Sequence, residues 1–217
     1  LYGMFGMAFL MDFLHWLTAQ AKGIDKDCYI VGEAWSTAGV IRELYTGADS
    51  FFNFPFSQIS GLYIPVVRTG DARQAAARMQ EWNDNIREVN SLAIDAVFLS
   101  NHDNARSYGM LNRNEDLAKM AASFYTLSPG NAFIYYGEEL GMIGSGRDEN
   151  KRLPMYWSAE DKTGIPLPPP NAEFFEPPAF GAMQQMNDDT SLFSHYRRLI
   201  EIKNKYPEIA RGTIEAI

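Results

Sequence analysis

Short apolar segments alternate with amphipathic helical segments along this chain, and the alternation limits the fold more than any other feature of the sequence. The pattern predicts β-strands at Cys28–Val31, Ser50–Phe54, Ala93–Leu99 and Ala132–Tyr136. It predicts helices at Phe5–Lys22, Val40–Tyr45, Asp71–Val89, Glu115–Leu127 and Ser191–Lys205. Strands that alternate with helices form a parallel sheet covered by helices. The predicted fold class is therefore α/β.

Three local features complete this pattern. Asp71 stands where its side chain can cap the helix that follows. Arg211–Ile217 has the pattern of a β-strand that begins near the end of the chain. The proline-rich stretch 141–187 predicts a long loop. A loop of this length in a compact domain is usually functional or disordered.

Composition and charge exclude several classes of protein. The net charge of −8 and the scattered positions of the 19 lysines and arginines argue against a nucleic-acid partner. A single cysteine cannot form an internal disulfide. No apolar run reaches the ~18 residues of a membrane-spanning helix, and no signal-peptide pattern opens the chain. We therefore expect no membrane partner, and we expect the chain to begin in the middle of a fold.

Polar residues follow three of the four predicted strands. Glu33 follows the first strand, Asn101-His-Asp-Asn104 follows the third, and Glu138 and Glu139 follow the fourth. Parallel α/β folds carry their active sites at the carboxyl ends of the strands. The first two groups therefore form a candidate site, with a solvated strand end as the alternative for Glu33. We assign Glu138 and Glu139 a structural role.

Three further residues could contribute to a cleft. Trp35 offers a flat apolar surface that either packs against the rim of the sheet or stacks on a sugar ring. Asp148 and Arg152 lie four residues apart in a charged segment that runs into Leu-Pro-Met-Tyr-Trp. This mixture of charged and apolar residues suits a loop folded over a cleft, and the alternative is a solvated loop.

The remaining titratable candidates predict little chemistry. His102 and Asp103 have no second histidine or cysteine at a ligand spacing, so we predict no metal site. Cys28 is predicted to be a small buried hydrophobe. His15 and His195 lie within predicted helices, where we expect them to pack or to face solvent.

Three strand-end motifs occur together in this chain. They are Val31-Gly-Glu-Ala-Trp35, Phe98-Leu-Ser-Asn-His-Asp-Asn104 and Ile134-Tyr-Tyr-Gly-Glu-Glu139. In this order they resemble motifs of the alpha-amylase family, glycoside hydrolase family 13. Arg152–Trp157 resembles the segment after the last strand in many bacterial members. The resemblance extends over essentially the whole chain.

The resemblance implies a TIM-type (β/α)₈ barrel, of which this chain would supply strands 5–8 and their helices. Residues 1–210 would form the C-terminal half of the catalytic barrel, and residues 211–217 would begin a C-terminal β-domain. The implied reaction is retaining hydrolysis of α-1,4-glucans such as starch. The implied substrate is thus an α-glucan oligosaccharide or polysaccharide.

The resemblance also implies roles for individual residues. Glu33 matches the general acid/base, and Asp103 matches the carboxylate that stabilises the transition state. His102 matches a histidine that binds the sugar at the cleavage site, and the pair of Asp148 and Arg152 matches a pair that binds the neighbouring sugar. The full set of implied substrate-binding residues is His102, Trp35, Asn101, Asp148 and Arg152.

The chain departs from the family at the nucleophile. The family's nucleophile is an Asp in a motif like Gly-Phe-Arg-x-Asp, and no such motif occurs here; Asp12 lies inside a helical pattern instead. A retaining glycosidase needs two carboxyl groups about 5–5.5 Å apart. We therefore expect the isolated chain to be inactive. The alternatives are an α-glucosidase or α-1,6-glucosidase of the same family, and a non-catalytic sugar-binding half-barrel.

Cofactor, partner and location follow less directly. The visible residues require no cofactor, and the resemblance leaves calcium binding in the full-length protein open. A half-barrel has two open sheet edges, so we expect self-association or pairing with the other half of the barrel. Its inner face should expose Ile30, Phe98 or Leu99, and Ile134 or Tyr136. A starch-degrading protein favours an extracellular or cell-surface location, with a cytoplasmic one as the alternative.

Overall fold

The strands of this protein are short and parallel. The structure is a computed structural model, and it describes residues 2–158, 160–173 and 177–216. The strands are β1 (Val31–Gly32), β2 (Ser50–Phe51), β3 (Ala96–Phe98) and β4 (Asn131–Phe133). β1 pairs with β2 and β3 pairs with β4, and both pairs are parallel. A backbone bridge between Phe52 and Ala96 joins the two pairs.

Helices separate the strands, as the alternating sequence pattern predicts. They are α1 (Tyr2–Ile24), α2 (Ala38–Leu44), α3 (Phe54–Ser57), α4 (Tyr63–Thr69), α5 (Ala75–Val89), α6 (Ser107–Met110), α7 (Glu115–Thr126), α8 (Asp148–Lys151), α9 (Ala182–Gln185), α10 (Leu192–Lys205) and α11 (Glu208–Arg211). A 3₁₀ turn covers Glu138–Leu140. Parallel strands with helices between them confirm the α/β class. Within the described ranges the strands do not close into a barrel.

The predicted strands are longer than the observed ones. Apolar character marks burial rather than backbone pairing, and the two diverge at the strand ends. Leu99, for example, is 1% exposed but lies outside β3. The sequence pattern also missed α3, α4, α6, α8, α9 and α11, each of which has seven residues or fewer. Helices this short show too few turns for a clear apolar period.

The predicted cap of the long helix is wrong. α5 begins at Ala75 after Gln74, whose side chain makes no capping hydrogen bond. The Asp71 carboxylate instead accepts hydrogen bonds from the backbone N–H and the guanidinium of Arg73. Because the Asp71 carboxylate is bonded to Arg73, it does not cap the first turn of α5.

The predicted strand start at Arg211–Ile217 is also wrong for the residues that the structure describes there. Arg211 ends α11, and residues 213–216 have no regular structure; Ile217 lies outside the described residues. The Arg87 side chain donates hydrogen bonds to the carbonyls of Arg211 and Gly212, at 2.9 and 3.1 Å. These bonds hold the end of α11 against α5, where the segment has no strand to pair with.

The apolar core packs the helices against the strands. Phe98 and Leu99 are each 1% exposed, so the expectation that one of them faces solvent is wrong. Ile30 and Ile134 are half-buried. Tyr136 remains 38% exposed. The residues of β2 and β3 are thus buried, whereas those of β1 and β4 are half-buried.

A polar cluster closes the amino-terminal end of β3. The buried Asp95 carboxylate accepts hydrogen bonds from Asn53 Nδ2 at 2.7 Å, Trp82 Nε1 at 2.9 Å and the Tyr45 hydroxyl at 3.0 Å. Burial raises the pKa of Asp95 to about 6, although these donors oppose the shift. Because this cluster occupies the amino-terminal end, the opposite end of the strands is the one available for a site.

None of the described helices is long and apolar enough to span a bilayer. This agrees with the hydropathy of the sequence.

Candidate active site

Three of the predicted site residues meet at the carboxyl ends of the strands. Glu33 directly follows β1, and His102 and Asp103 lie on the loop that follows β3. A carboxylate oxygen of Glu33, a ring nitrogen of His102 and a carboxylate oxygen of Asp103 all lie within 4.8 Å of one another. The three side chains that the sequence analysis grouped into one candidate site thus lie close together.

Asn101 shapes the loop that carries His102 and Asp103. Its Oδ1 accepts hydrogen bonds from the backbone N–H of Asp103 at 2.9 Å and of Asn104 at 2.6 Å. An asparagine that bonds its own backbone two residues ahead forms a tight local turn. This turn reverses the chain just after β3, and it places the Asp103 carboxylate beside Glu33.

Asp148 and Arg152 lie beside the same loop. Arg152 Nη2 is 2.8 Å from Asp103 Oδ1 and 3.4 Å from Asp148 Oδ2. Arg152 Nε also donates to the carbonyl of His102, at 3.2 Å. Asp148 and Arg152 thus lie next to each other, and Arg152 also contacts the Asp103 carboxylate.

Lys151 belongs to the site although the sequence analysis missed it. Its Nζ donates to the backbone carbonyl of Asp103 at 2.6 Å and is 3.0 Å from Asp148 Oδ1. The residue is 8% exposed, which is unusual for lysine unless the charge is paired. The sequence did contain a hint of this role, because Lys151-Arg152 directly precedes an apolar run. A lysine buried beside such a run needs an acidic partner.

The site gathers three carboxylates and two cations. The hydrogen bond and charge of Lys151, with a smaller contribution from Arg152, lower the pKa of Asp148. Glu33 is exposed, so no apolar pocket surrounds its carboxyl group among the described residues. Its close ionisable neighbours are His102 and Asp103. The arrangement leaves Glu33 open to a large ligand.

Trp35 combines the two interpretations that its sequence position allowed. Its ring stacks on Phe54 with a centroid distance of 5.1 Å and an interplanar angle of 16°. Phe54 is fully buried, whereas Trp35 is 56% exposed. One face of the indole thus packs against the core, and much of the ring remains accessible to a ligand.

The other candidate residues serve the fold. Glu138 is 3% exposed and accepts hydrogen bonds from the hydroxyls of Tyr125 and Tyr196, as expected for a structural residue. His15 and His195 bond to backbone carbonyls of neighbouring segments, those of Thr46 and Lys119. Cys28 is only half-buried, so its prediction as a buried hydrophobe is wrong.

The cluster of Glu33, His102 and Asp103 also has the spacing of a metal site. Calcium prefers six to eight oxygen ligands. Two carboxylates and an imidazole do not fit that preference, and Arg152 already occupies one Asp103 oxygen.

Comparisons with known proteins agree with these motifs and with the fold. Residues 6–212 match the family model described as "Alpha amylase, catalytic domain". Alpha-amylase 3 of Dictyoglomus thermophilum is 34% identical over 206 residues, which cover 90% of this chain and 39% of that protein. The probable oligo-1,6-glucosidase 3 of Bacillus subtilis is 26% identical over 181 residues, 64% of this chain and 32% of that protein.

The solved structure of Eubacterium rectale Amy13B is also similar. It superposes with a TM-score of 0.87 at 39% identity, over 94% of this chain and 41% of that one. The chain therefore spans less than half the length of each of these three proteins. Because the family model extends from α1 to α11 and the same fold recurs in Amy13B, the chain belongs to the alpha-amylase family, glycoside hydrolase family 13.

Proposed function

We propose that this chain is part of a retaining glycoside hydrolase that cleaves α-1,4-glucans such as starch. The observation that carries the proposal is the meeting of Glu33, His102 and Asp103 within 4.8 Å at the carboxyl ends of parallel strands. The family membership and the name of the Dictyoglomus relative support the same reaction. In this proposal, the full-length enzyme is a longer polypeptide that contains these residues and also supplies the nucleophile.

Glu33 acts as the general acid/base. A glycosidic oxygen is a poor leaving group and must receive a proton as the bond breaks. The Glu33 side chain is exposed and lies beside His102 and Asp103, so a polymer can approach its carboxyl group. After the glycosyl enzyme forms, the same carboxylate removes a proton from the incoming water.

Asp103 stabilises the positive charge that develops on the sugar and binds its hydroxyl groups. Arg152 Nη2 lies 2.8 Å from Asp103 Oδ1, and this ion pair fixes the position of the carboxylate beside the sugar. His102, whose Nε2 lies 3.5 Å from Asp103 Oδ2, donates a hydrogen bond to the same sugar. Asn101 supports both residues through the turn, and Trp35 offers its exposed ring surface to the ligand.

The nucleophile comes from outside these 217 residues. A retaining mechanism requires a second carboxylate about 5–5.5 Å from the acid/base. Asp103 lies close enough to Glu33 to be considered for this part. However, Asp103 is paired with Arg152 and is assigned to stabilise the transition state, so we assign the nucleophile to the motif that this sequence lacks. We therefore propose that residues 1–210 supply strands 5–8 of a TIM-type barrel and that an earlier strand carries the nucleophile.

A panel of substrates tests the linkage. We expect the full-length enzyme to hydrolyse soluble starch and maltotriose much faster than isomaltose. The similarity to an oligo-1,6-glucosidase makes α-1,6 hydrolysis the second candidate. Faster cleavage of isomaltose would overturn the α-1,4 assignment. Binding without turnover of any of these substrates would instead favour a sugar-binding protein.

Arg152 is expected to act mainly in binding. In the full-length enzyme, Arg152→Ala should raise KM for maltoheptaose about tenfold, because it removes a charged hydrogen-bond donor at the neighbouring sugar. The change in kcat should be smaller. The control is Arg198→Ala, which removes an exposed arginine of α10 that donates to the Asp189 carbonyl. Equal KM values for Arg152→Ala and wild type would contradict the assignment.

A further inference from the structure

A buried arginine lies directly beneath the active-site loop. Arg106 follows Asp103 by three residues and is 1% exposed. Its guanidinium carbon lies 4.6 Å from the ring centroid of Tyr135 and 4.8 Å from that of Tyr136. Burying a guanidinium is costly unless its donors and charge are used. Arg106 Nη2 has no hydrogen-bond partner among the described residues, so the bonds of Nε and Nη1 and the two ring contacts indicate what holds this side chain in place.

The guanidinium binds the segment that contains the two cations of the site. Arg106 Nε donates to the carbonyl of Lys151 at 3.1 Å, and Nη1 donates to the carbonyl of Tyr136 at 2.7 Å. The Tyr135 hydroxyl donates to the same Lys151 carbonyl, at 3.2 Å. The Tyr136 hydroxyl donates to the carbonyl of Leu153 at 2.6 Å. The backbone on both sides of Arg152 is thus attached to the end of β4.

The same segment reaches back to the catalytic loop through its side chains. Lys151 Nζ donates to the carbonyl of Asp103, and Arg152 pairs with the carboxylate of Asp103. Lys151 is therefore bonded to Arg106 through its carbonyl and to Asp103 through its ammonium group. Two segments are therefore bonded to each other at both ends: the loop from Asp103 to Arg106, and the segment that contains Lys151 and Arg152.

We propose that Arg106 is a positioning residue, which holds the backbone at Lys151 so that Arg152 reaches both Asp103 and the neighbouring sugar. The proposal rests on the proposed function. The planar guanidinium contacts both tyrosine rings, whose centroids lie 4.7 Å apart, while it donates to two carbonyls. A lysine ammonium at this position keeps the charge but loses the fork geometry, so Arg106→Lys is not a conservative change.

The test is a double-mutant cycle with Arg106→Lys and Arg152→Ala in the full-length enzyme. Arg106→Lys alone should lower kcat/KM for maltoheptaose about tenfold, mainly through KM, because misplaced binding groups lose much of their effect. In the Arg152→Ala background the same change should cost less than about threefold, since coupled residues are non-additive. A merely structural role would lower the active fraction and hence kcat, with KM unchanged.

Two further variants keep the test decisive if Arg106→Lys does not fold. Tyr135→Phe removes one of the two donors to the Lys151 carbonyl, and it should raise KM about threefold, again only when Arg152 is present. Tyr45→Phe is the matched control: it removes a buried hydroxyl that binds Asp95, at the opposite end of β3. Its KM should stay within a factor of two of the wild-type value.

The outcomes separate this inference from the proposed function. Calorimetric affinities of maltoheptaose for the same variants in a Glu33→Gln background give the cycle without turnover. The positioning role would be overturned if the effects of Arg106→Lys and Arg152→Ala simply multiply, both in kcat/KM and in affinity. It would also be overturned if Tyr135→Phe leaves KM and affinity unchanged. Full turnover by Glu33→Gln itself would instead overturn the proposed function and leave the affinity cycle to decide the role of Arg106.

Discussion

A polypeptide of these 217 residues alone should release no more than a trace of reducing sugar from soluble starch. Glu33 and Asp103 are present and close together, but the nucleophile motif is not in the sequence. Without a covalent intermediate, the retaining pathway has no first step. The measurement is a reducing-sugar assay on the purified chain, with the full-length enzyme as the positive reference.

The control for this experiment is the same chain with Glu33→Gln. Any trace of activity that persists in this variant comes from a contaminant. Mixing the chain with a polypeptide that carries the earlier strands should restore activity if the two parts assemble. Turnover by the chain alone at a rate typical of glycosidases, and its loss in Glu33→Gln, would show that another carboxylate serves as the nucleophile.

We also expect the isolated chain to associate with itself. The core covers Phe98 and Leu99, but Tyr136 at the end of the last strand pair is 38% exposed and Trp16 on α1 is 58% exposed. The described strands also form an open arrangement with unpaired edges. Such edges promote pairing with other chains. Light scattering at micromolar concentration should give a mass above that of the monomer, and a compact monomer would contradict this expectation.

In the full-length enzyme, Glu33→Gln should abolish turnover and largely preserve substrate binding. Loss of a general acid/base typically lowers kcat about 10²–10⁴-fold, and the poor glycosidic leaving group places the loss toward the upper end. Glutamine keeps the size of the side chain but cannot transfer the proton. Steady-state kinetics on starch, together with calorimetric binding of maltoheptaose, separate the two effects.

Two variants frame this result. Asp103→Asn should also lower kcat strongly, because it removes the negative charge opposite the developing oxocarbenium ion. Glu43→Gln changes an exposed glutamate on α2 and should leave kcat unchanged. If kcat of Glu33→Gln lies within a few-fold of the wild-type value, Glu33 is not the acid/base.

The strand-end motifs show why part of the site could be predicted from sequence. Glu33 and the loop at His102 and Asp103 each follow an apolar run directly, and parallel strands bring their carboxyl ends to one edge. Two local patterns were therefore enough to place three side chains together. The long helices followed in the same way from their apolar period. The helix cap and the chain end were predicted less well, because the Asp71 carboxylate binds Arg73 instead and the Arg211 carbonyl binds Arg87 of α5.

By itself, the sequence determined the α/β class, the order of strands and helices, and the residues that line the strand ends, because these depend on periodicity within short segments. The tertiary structure alone decided the contacts between distant segments. Lys151 reaches the Asp103 carbonyl across 48 positions of the chain, and Arg106 reaches Lys151 across 45. The path of the intervening loop determines such contacts, and no local pattern encodes that path. The same reason explains why Phe98 and Leu99 are buried and why Trp35 rests on Phe54.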